Sequence, residues 1–245
     1  MDSDKLTIAV STWNVGAAAG AQATTPAAGV DAWLRAGQPS TADVHVVALQ
    51  EVVDINSPLS YVFNPLSMHH KTLSSEAVLW ADELHKVMPS HVVVAKAELV
   101  GMIIFVLISA QHAAGCRSAR VAHMGMGPLG AGNKGAVAAS LSLYERSVCF
   151  ICAHFASGTK HLDARNKQMR TLLSDLHFPN DAEEGSTSSL PESPGAHDVV
   201  IWCGDLNYRI AKRDADTRAR AWRPAPAAAL FPSACARART HALLT

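Results

Sequence analysis

Neither sign of charge is in surplus in this chain. Its 245 residues carry 21 Lys and Arg against 21 Asp and Glu, so the formal net charge is zero. Proteins that hold long nucleic acid by bulk electrostatics show a basic excess, and that class is set aside. A small polyanion needs only a few well-placed cations and stays open. Long apolar runs are missing too. The most hydrophobic stretch, Leu99–Ala110, falls well short of the roughly 20 residues that span a bilayer. Met1–Lys5 is acidic and the apolar run after it, Leu6–Val10, is too short to read as a secretory signal. The expected location is cytoplasmic, with peripheral membrane contact. Cysteine is scarce and odd in number, at positions 116, 149, 152, 203 and 235, which reads as reduced core thiols of an intracellular protein. Cys149 and Cys152 form a C-x-x-C, but inside a strand-like run residues three apart face opposite sides, so they are not read as a metal or redox pair.

What is present is enough apolar material, 49% of the residues, for one sizeable core. Short apolar runs bounded by Gly, Pro, Ser and Asn read as strands: Leu6–Val15, Val44–Val52, Val92–Ala97, Met102–Ser109, Ala136–Leu143, Ser147–Phe155 and Asp198–Cys203. Two segments carry helical spacing. Leu73, Ala77, Trp80, Leu84 and Val87 follow one another at three and four, with Ser74 and Ser75 as caps. Leu162, Met169, Leu172, Leu173 and Leu176 do the same before Pro179. Strands mixed with helices in this order predict an α/β arrangement, with helices on the outer faces of two packed sheets. Gly16–Gly29 and Asn180–His197 read as surface loops from their composition. From Ala211 onward the text is Ala- and Arg-rich without either period, and is read as an irregular, disordered or non-native end in preference to a basic arm.

Polar residues collect where the strand-like runs end. Asn14 ends the first, Gln50 and Glu51 the second, His154 a third, and Gly204-Asp205-Leu206-Asn207 a fourth. Strand ends let side chains from distant parts of a sequence converge on rigid supports. Glu51, Asn14, Asp205 and Asn207 offer hard oxygen donors that suit magnesium (Mg2+), which takes one or two carboxylates and completes its shell with water and substrate phosphate. Asp205 could orient or deprotonate a water, and a protonated His154 could donate to a phosphate oxygen as charge grows. Together the set reads as phosphate-ester hydrolysis. Singly, each has an ordinary alternative: a solvated loop Glu, a turn Asn, a structural His.

The segments Thr12-Trp13-Asn14-Val15, Leu49-Gln50-Glu51-Val52, Gly132-Asn133-Lys134-Gly135, His154-Phe155-Ala156-Ser157-Gly158 and Trp202-Cys203-Gly204-Asp205-Leu206-Asn207-Tyr208-Arg209-Ile210 resemble, in order and spacing, the signatures of the inositol polyphosphate 5-phosphatase catalytic domain. That resemblance implies a partial catalytic domain over residues 1–210 with a loop insertion at 180–197, a four-layered α/β sandwich, and magnesium-dependent action on the 5-phosphate of inositol phosphates or phosphoinositides. Carried over, Asn14 and Glu51 hold the metal, His154 contacts the scissile phosphate, Asp205 positions the water, and Asn207 supports phosphate and metal. Asn133 and Lys134 line the substrate side, and Arg165 and Asn166 contribute to the phosphate site. The Gly-rich stretch before Lys134 is no P-loop, because Gly135 follows the lysine where Ser or Thr is required.

The chain also departs from that pattern. Family members carry a later segment resembling Ser-Asp-His, and no Asp-His pair follows Asp205 here. The expectation is a domain lacking its last strands, with weakened catalysis and an exposed strand edge. Two other readings remain: a nuclease or other phosphodiesterase of the wider metal-dependent superfamily, and a non-catalytic protein that binds phosphoinositide.

Overall fold

Short apolar runs, several of them buried along their whole length, build two sheets. The computed structural model describes residues 6–16, 29–35, 42–53, 74–127, 130–179, 190–209 and 237–244. Most of the loop expected at 16–29, residues 180–189 of the second loop, Ile210 of the last signature segment, and residues 211–236 of the tail lie outside the described residues. The strands are β1 (Leu6–Asn14), β2 (Val44–Gln50), β3 (His91–Leu99), β4 (Met102–Ser109), β5 (Cys116–Gly125), β6 (Gly135–Leu143), β7 (Arg146–His154), β8 (Val199–Asp205) and β9 (Arg237–Leu244). The helices are α1 (Val30–Arg35), α2 (Ser75–Val87) and α3 (Leu162–Asp175). One sheet runs β3-β4-β2-β1-β9 and the other β5-β6-β7-β8.

Why these runs look continuously apolar follows from what covers them. In β4 every residue is buried. Ile104, Val106 and Ile108 enter the core between the sheets, while Ile103, Phe105 and Leu107 pack under α1 and α2 with Trp13, Trp33 and Trp80. A strand buried on both faces cannot alternate with polar residues. β7 repeats this in the second sheet: Val148, Phe150 and Cys152 face the first sheet, and Cys149, Ile151 and Ala153 face α3 through Leu172 and Leu176. The layers are therefore helix, sheet, sheet, helix, as expected, and full burial of each large apolar side chain contributes ~1.5–3 kcal/mol. The two C-x-x-C cysteines sit in different cores, and burial pushes both thiols up to about 12. Among the described residues no helix is long and apolar enough to cross a membrane.

Three elements escaped the sequence reading. β5 carries Arg117, Ser118 and Arg120 and has several exposed positions along one edge of its sheet, so its apolar pattern is diluted. α1 is only six residues long. β9 corrects the irregular reading of the tail over 237–244. This segment pairs antiparallel with β1, from Leu6 opposite Leu244 to Trp13 opposite Arg237. Backbone pairing along an open strand edge needs no side-chain period, which is why composition did not announce it.

Two of the strand pairs are parallel, β1 with β2 and β7 with β8. Parallel neighbours need a crossover, and α1 and α3 lie within those crossovers. Parallel pairing also brings their C-terminal ends together, with Asn14 opposite Gln50 and His154 opposite Asp205. In open α/β sheets the crevice beyond such ends is where ligands bind.

Candidate active site

The two parallel pairs finish at one edge of the sandwich, and a side chain joins them. Asn14 donates from Nδ2 to Glu51 Oε1 at 3.0 Å and to Asp205 Oδ2 at 3.1 Å. Its own Oδ1 accepts from Gly16 N at 3.1 Å. The amide thus lies between a carboxylate of each sheet and partly offsets their mutual repulsion. His154, 2% exposed, points the same way, with Nε2 3.6 Å from Glu51 Oε1 and 3.7 Å from Asp205 Oδ2. Lys134 Nζ donates to that same Nε2 at 2.5 Å, which leaves the ring proton on Nδ1.

Local backbone explains how these groups arrive. Glu51 has φ 54° and Asn207 φ 55°. The left-handed region costs a non-glycine residue ~1 kcal/mol or more, and such strain gathers where side chains must be re-aimed. Val15 N to Gln50 O at 2.8 Å and Val52 N to Gly101 O at 3.1 Å hold the chain around Glu51. Asn207 is fixed on three sides. Its N–H donates to Asp205 Oδ1 at 3.1 Å, its Nδ2 donates to Phe155 O at 3.1 Å, and its Oδ1 accepts from Arg209 at 2.7 Å. Gly135 delivers Lys134: its φ is +145°, and a Cβ there would lie 2.0 Å from Met124 O.

Electrostatics decides the charges. Burial, then the neighbouring Lys134, lowers the His154 pKa to about 4, against the pull of Asp205 and Glu51. At about 4 the ring is neutral at pH 7 in the free site, so the donation read for a protonated His154 is not available there. Burial also lowers the Lys134 pKa, while Glu51 and Asp205 raise it.

The predicted residues separate into two sets. Asn14, Glu51, Lys134, His154, Asp205 and Asn207 converge. Asn133 adjoins Lys134, with its Oδ1 buried and unpartnered among the described residues. Arg165 and Asn166 do not reach the carboxylate cluster. Arg165 is buried and donates to Ala156 O and Gly158 O, and Asn166 accepts from the Tyr208 hydroxyl. Gln50 and Thr12 lie just inside the cluster, where Gln50 Nε2 donates to Thr12 Oγ1 at 3.2 Å and contacts Cys152 Sγ at 3.3 Å across the sheets. In the sequence Gln50 is only the polar end of an apolar run, and nothing there signals that it is buried between the sheets.

Among the described residues no group of three or more His, Cys, Asp and Glu forms a metal cage of its own. The two carboxylates, Glu51 and Asp205, are instead the free hard oxygen donors at this edge, an incomplete set that suits a hard divalent cation keeping several waters. The residues present fit magnesium.

The chain is similar to known proteins. Synaptojanin-1 of Rattus norvegicus is 34% identical over 172 residues, covering 69% of this chain and 10% of that protein. Type I inositol polyphosphate 5-phosphatase 4 of Arabidopsis thaliana is 33% identical over 153 residues, covering 60% of this chain and 28% of that protein. The chain therefore spans about a tenth of the length of the synaptojanins it matches. The solved inositol polyphosphate 5-phosphatase domain of SPsynaptojanin, in complex with inositol (1,4)-bisphosphate and calcium, superposes with a TM-score of 0.66 at 25% identity, covering 88% of this chain and 57% of that one. Residues 11–226, which take in every converging side chain, match the endonuclease/exonuclease/phosphatase family 2, and the chain belongs to that family.

Proposed function

We propose that this chain hydrolyses the 5-phosphate of inositol polyphosphates or phosphoinositides with magnesium as its cofactor. The observation that carries the reading is the Asn14 amide joining Glu51 and Asp205 across the two sheets, with His154 facing the same carboxylates and Lys134 bonded to His154. The similarity to inositol polyphosphate 5-phosphatases supports the substrate class.

Glu51 and Asn14, with Asn207 beside them, would hold the ion, which supplies Lewis-acid polarisation of the phosphate. Asp205 orients the attacking water and takes its proton. It is ready for this because the Asn14 amide and the Asn207 N–H pin both its oxygens. Lys134 brings positive charge to a polyanionic substrate and donates toward the phosphate oxygens as charge grows in the transition state. His154, neutral and buried, keeps the Lys134 ammonium aimed and contacts the scissile phosphate. Asn133 precedes Lys134 on the same loop, on the side where the substrate would lie. Peripheral membrane contact follows if the substrate is a lipid.

The test is phosphate release from inositol 1,4,5-trisphosphate and from vesicles containing the 4,5-bisphosphorylated lipid. Each is run with magnesium, with chelator, and with Asp205→Ala. Release that requires both the metal and Asp205 supports the reading. Folded protein that releases no phosphate from either substrate overturns it, and magnesium-dependent cleavage of DNA or RNA would favour a nuclease instead.

A further inference from the structure

The first turns of α3 grip both of the loops that carry the catalytic strand ends. Arg165 is 1% exposed, and its Nη1 donates to Ala156 O at 3.0 Å and to Gly158 O at 2.7 Å, in the loop that follows His154. Gln168 Oε1 accepts from Ala156 N at 2.9 Å in the same loop. The other loop, after Asp205, is held by Tyr208. Its ring centroid lies 5.5 Å from the Arg165 guanidinium carbon, and its hydroxyl donates to Asn166 Oδ1 at 2.8 Å. The loops are also joined directly, Phe155 N to Asp205 O at 3.1 Å and Asn207 Nδ2 to Phe155 O at 3.1 Å.

We infer that Arg165, with Asn166 and Tyr208, is a positioning element that fixes the spacing between His154 and the Asp205–Asn207 turn through loop backbone, and does not bind substrate. The inference rests on the phosphatase reading of this site. A buried guanidinium is costly unless its donors are used. Among the described residues its partners are two carbonyls and a ring, with no carboxylate, and its Nε is buried without a hydrogen-bond partner. A single nitrogen, Nη1, holds both carbonyls while the planar group stacks on an aromatic face, a contact that the ammonium of a lysine does not reproduce. The same helix turn therefore sets the curl of one loop and the tilt of the other. A displacement of either by about 1 Å would separate groups that must act on one phosphate.

Two variants test this, Arg165→Lys and Tyr208→Ala; the Tyr208 ring is 41% exposed, so its loss leaves the core intact. Magnesium-dependent hydrolysis of inositol 1,4,5-trisphosphate should lose roughly ten- to hundredfold in kcat in each, from misplacement alone. KM should stay within about twofold, and the double variant should be little worse than either single one. Hydrogen exchange of the metal-free protein should quicken roughly tenfold in both 155–158 and 206–209 while the strands stay unchanged. A raised KM at unchanged kcat would make Arg165 a substrate contact. Full kcat in Arg165→Lys would reduce its role to charge at a distance. Either result overturns the inference, as does unchanged exchange in the two loops. If the parent protein releases no phosphate, the functional reading fails, and the exchange measurement still decides the brace.

Discussion

Gly204 shows how narrowly single residues are set at this site. It lies between Cys203 and Asp205 with φ +109°, and a Cβ there would stand 2.1 Å from Ala153 O and 2.8 Å from Ala153 N. Backbone cannot move aside as a side-chain tip can, so Gly204→Ala should cost about 2–4 kcal/mol and shift Asp205 against His154, read by urea unfolding and by loss of phosphate release. Lys134 permits a sharper electrostatic test. Its ammonium, second only to burial, holds His154 down, while Asp205 and Glu51 pull the ring upward. Lys134→Met removes the lowering neighbour and leaves both carboxylates, so the imidazole pKa of His154 in metal-free protein should rise from about 4, followed by NMR titration. No rise would mean that burial alone sets the ring. The converging residues were legible in the sequence because each ends an apolar run. The contacts of Arg165 were not legible, for the opposite reason: it lies on a helix, where spacing shows that a face is buried but not which carbonyls a guanidinium will find there.

The helix α2 carries the clearest sequence signals among the elements. Its apolar spacing and its cap were both readable, and Ser74 Oγ accepts from Ala77 N at 3.2 Å as a capping serine should. Its second role was not readable. The Ser74 hydroxyl donates to Glu98 Oε2 at 2.7 Å and its N–H donates to Glu98 Oε1 at 2.8 Å, tying the helix start to the end of β3. Ser74→Ala should therefore cost more than a plain cap, about 1–2 kcal/mol, and Glu98→Gln should recover part of that loss in the double variant, as unfolding in urea would report. Strands followed the same division. Apolar runs announced themselves, at the edge in β3 as well as inside the sheets, while β5 and β9 lack such a run and are built by pairing with a neighbouring strand, which no local pattern encodes.

Across the whole molecule the four-layer order was legible because two helical patterns and the doubly apolar strands admit few other packings. How the molecule responds to acid was not, since it depends on which histidines the layers enclose. Among the described residues burial lowers the pKa of three of them: His45 to about 4, His154 to about 4, and His197. His45 lies at the opposite end of β2 from the site, its ring 5.0 Å from His91 in an edge-to-face pair, and Asp43 only partly offsets the burial. His197 accepts from Ser140 Oγ and donates from Nδ1 to the carbonyls of Ser193 and Pro194, with Arg120 opposing its protonation. In each case the unfolded chain binds the proton more tightly than the folded one. No penalty exists above the unfolded pKa of 6.5; it grows as pH falls through 6.5 and is complete only below the folded value. For His45 a fall from 6.5 to about 4 sets a limit of about 3 kcal/mol. Melting of the metal-free protein should therefore be flat from pH 8 to 7 and drop steadily between 6.5 and 4. His45→Gln, which cannot acquire the charge, should flatten part of that drop without altering the plateau. A wild-type melting temperature that holds level down to pH 4.5 would show that the layers admit a charged histidine, and the buried rings would then have to be solvated in the folded state.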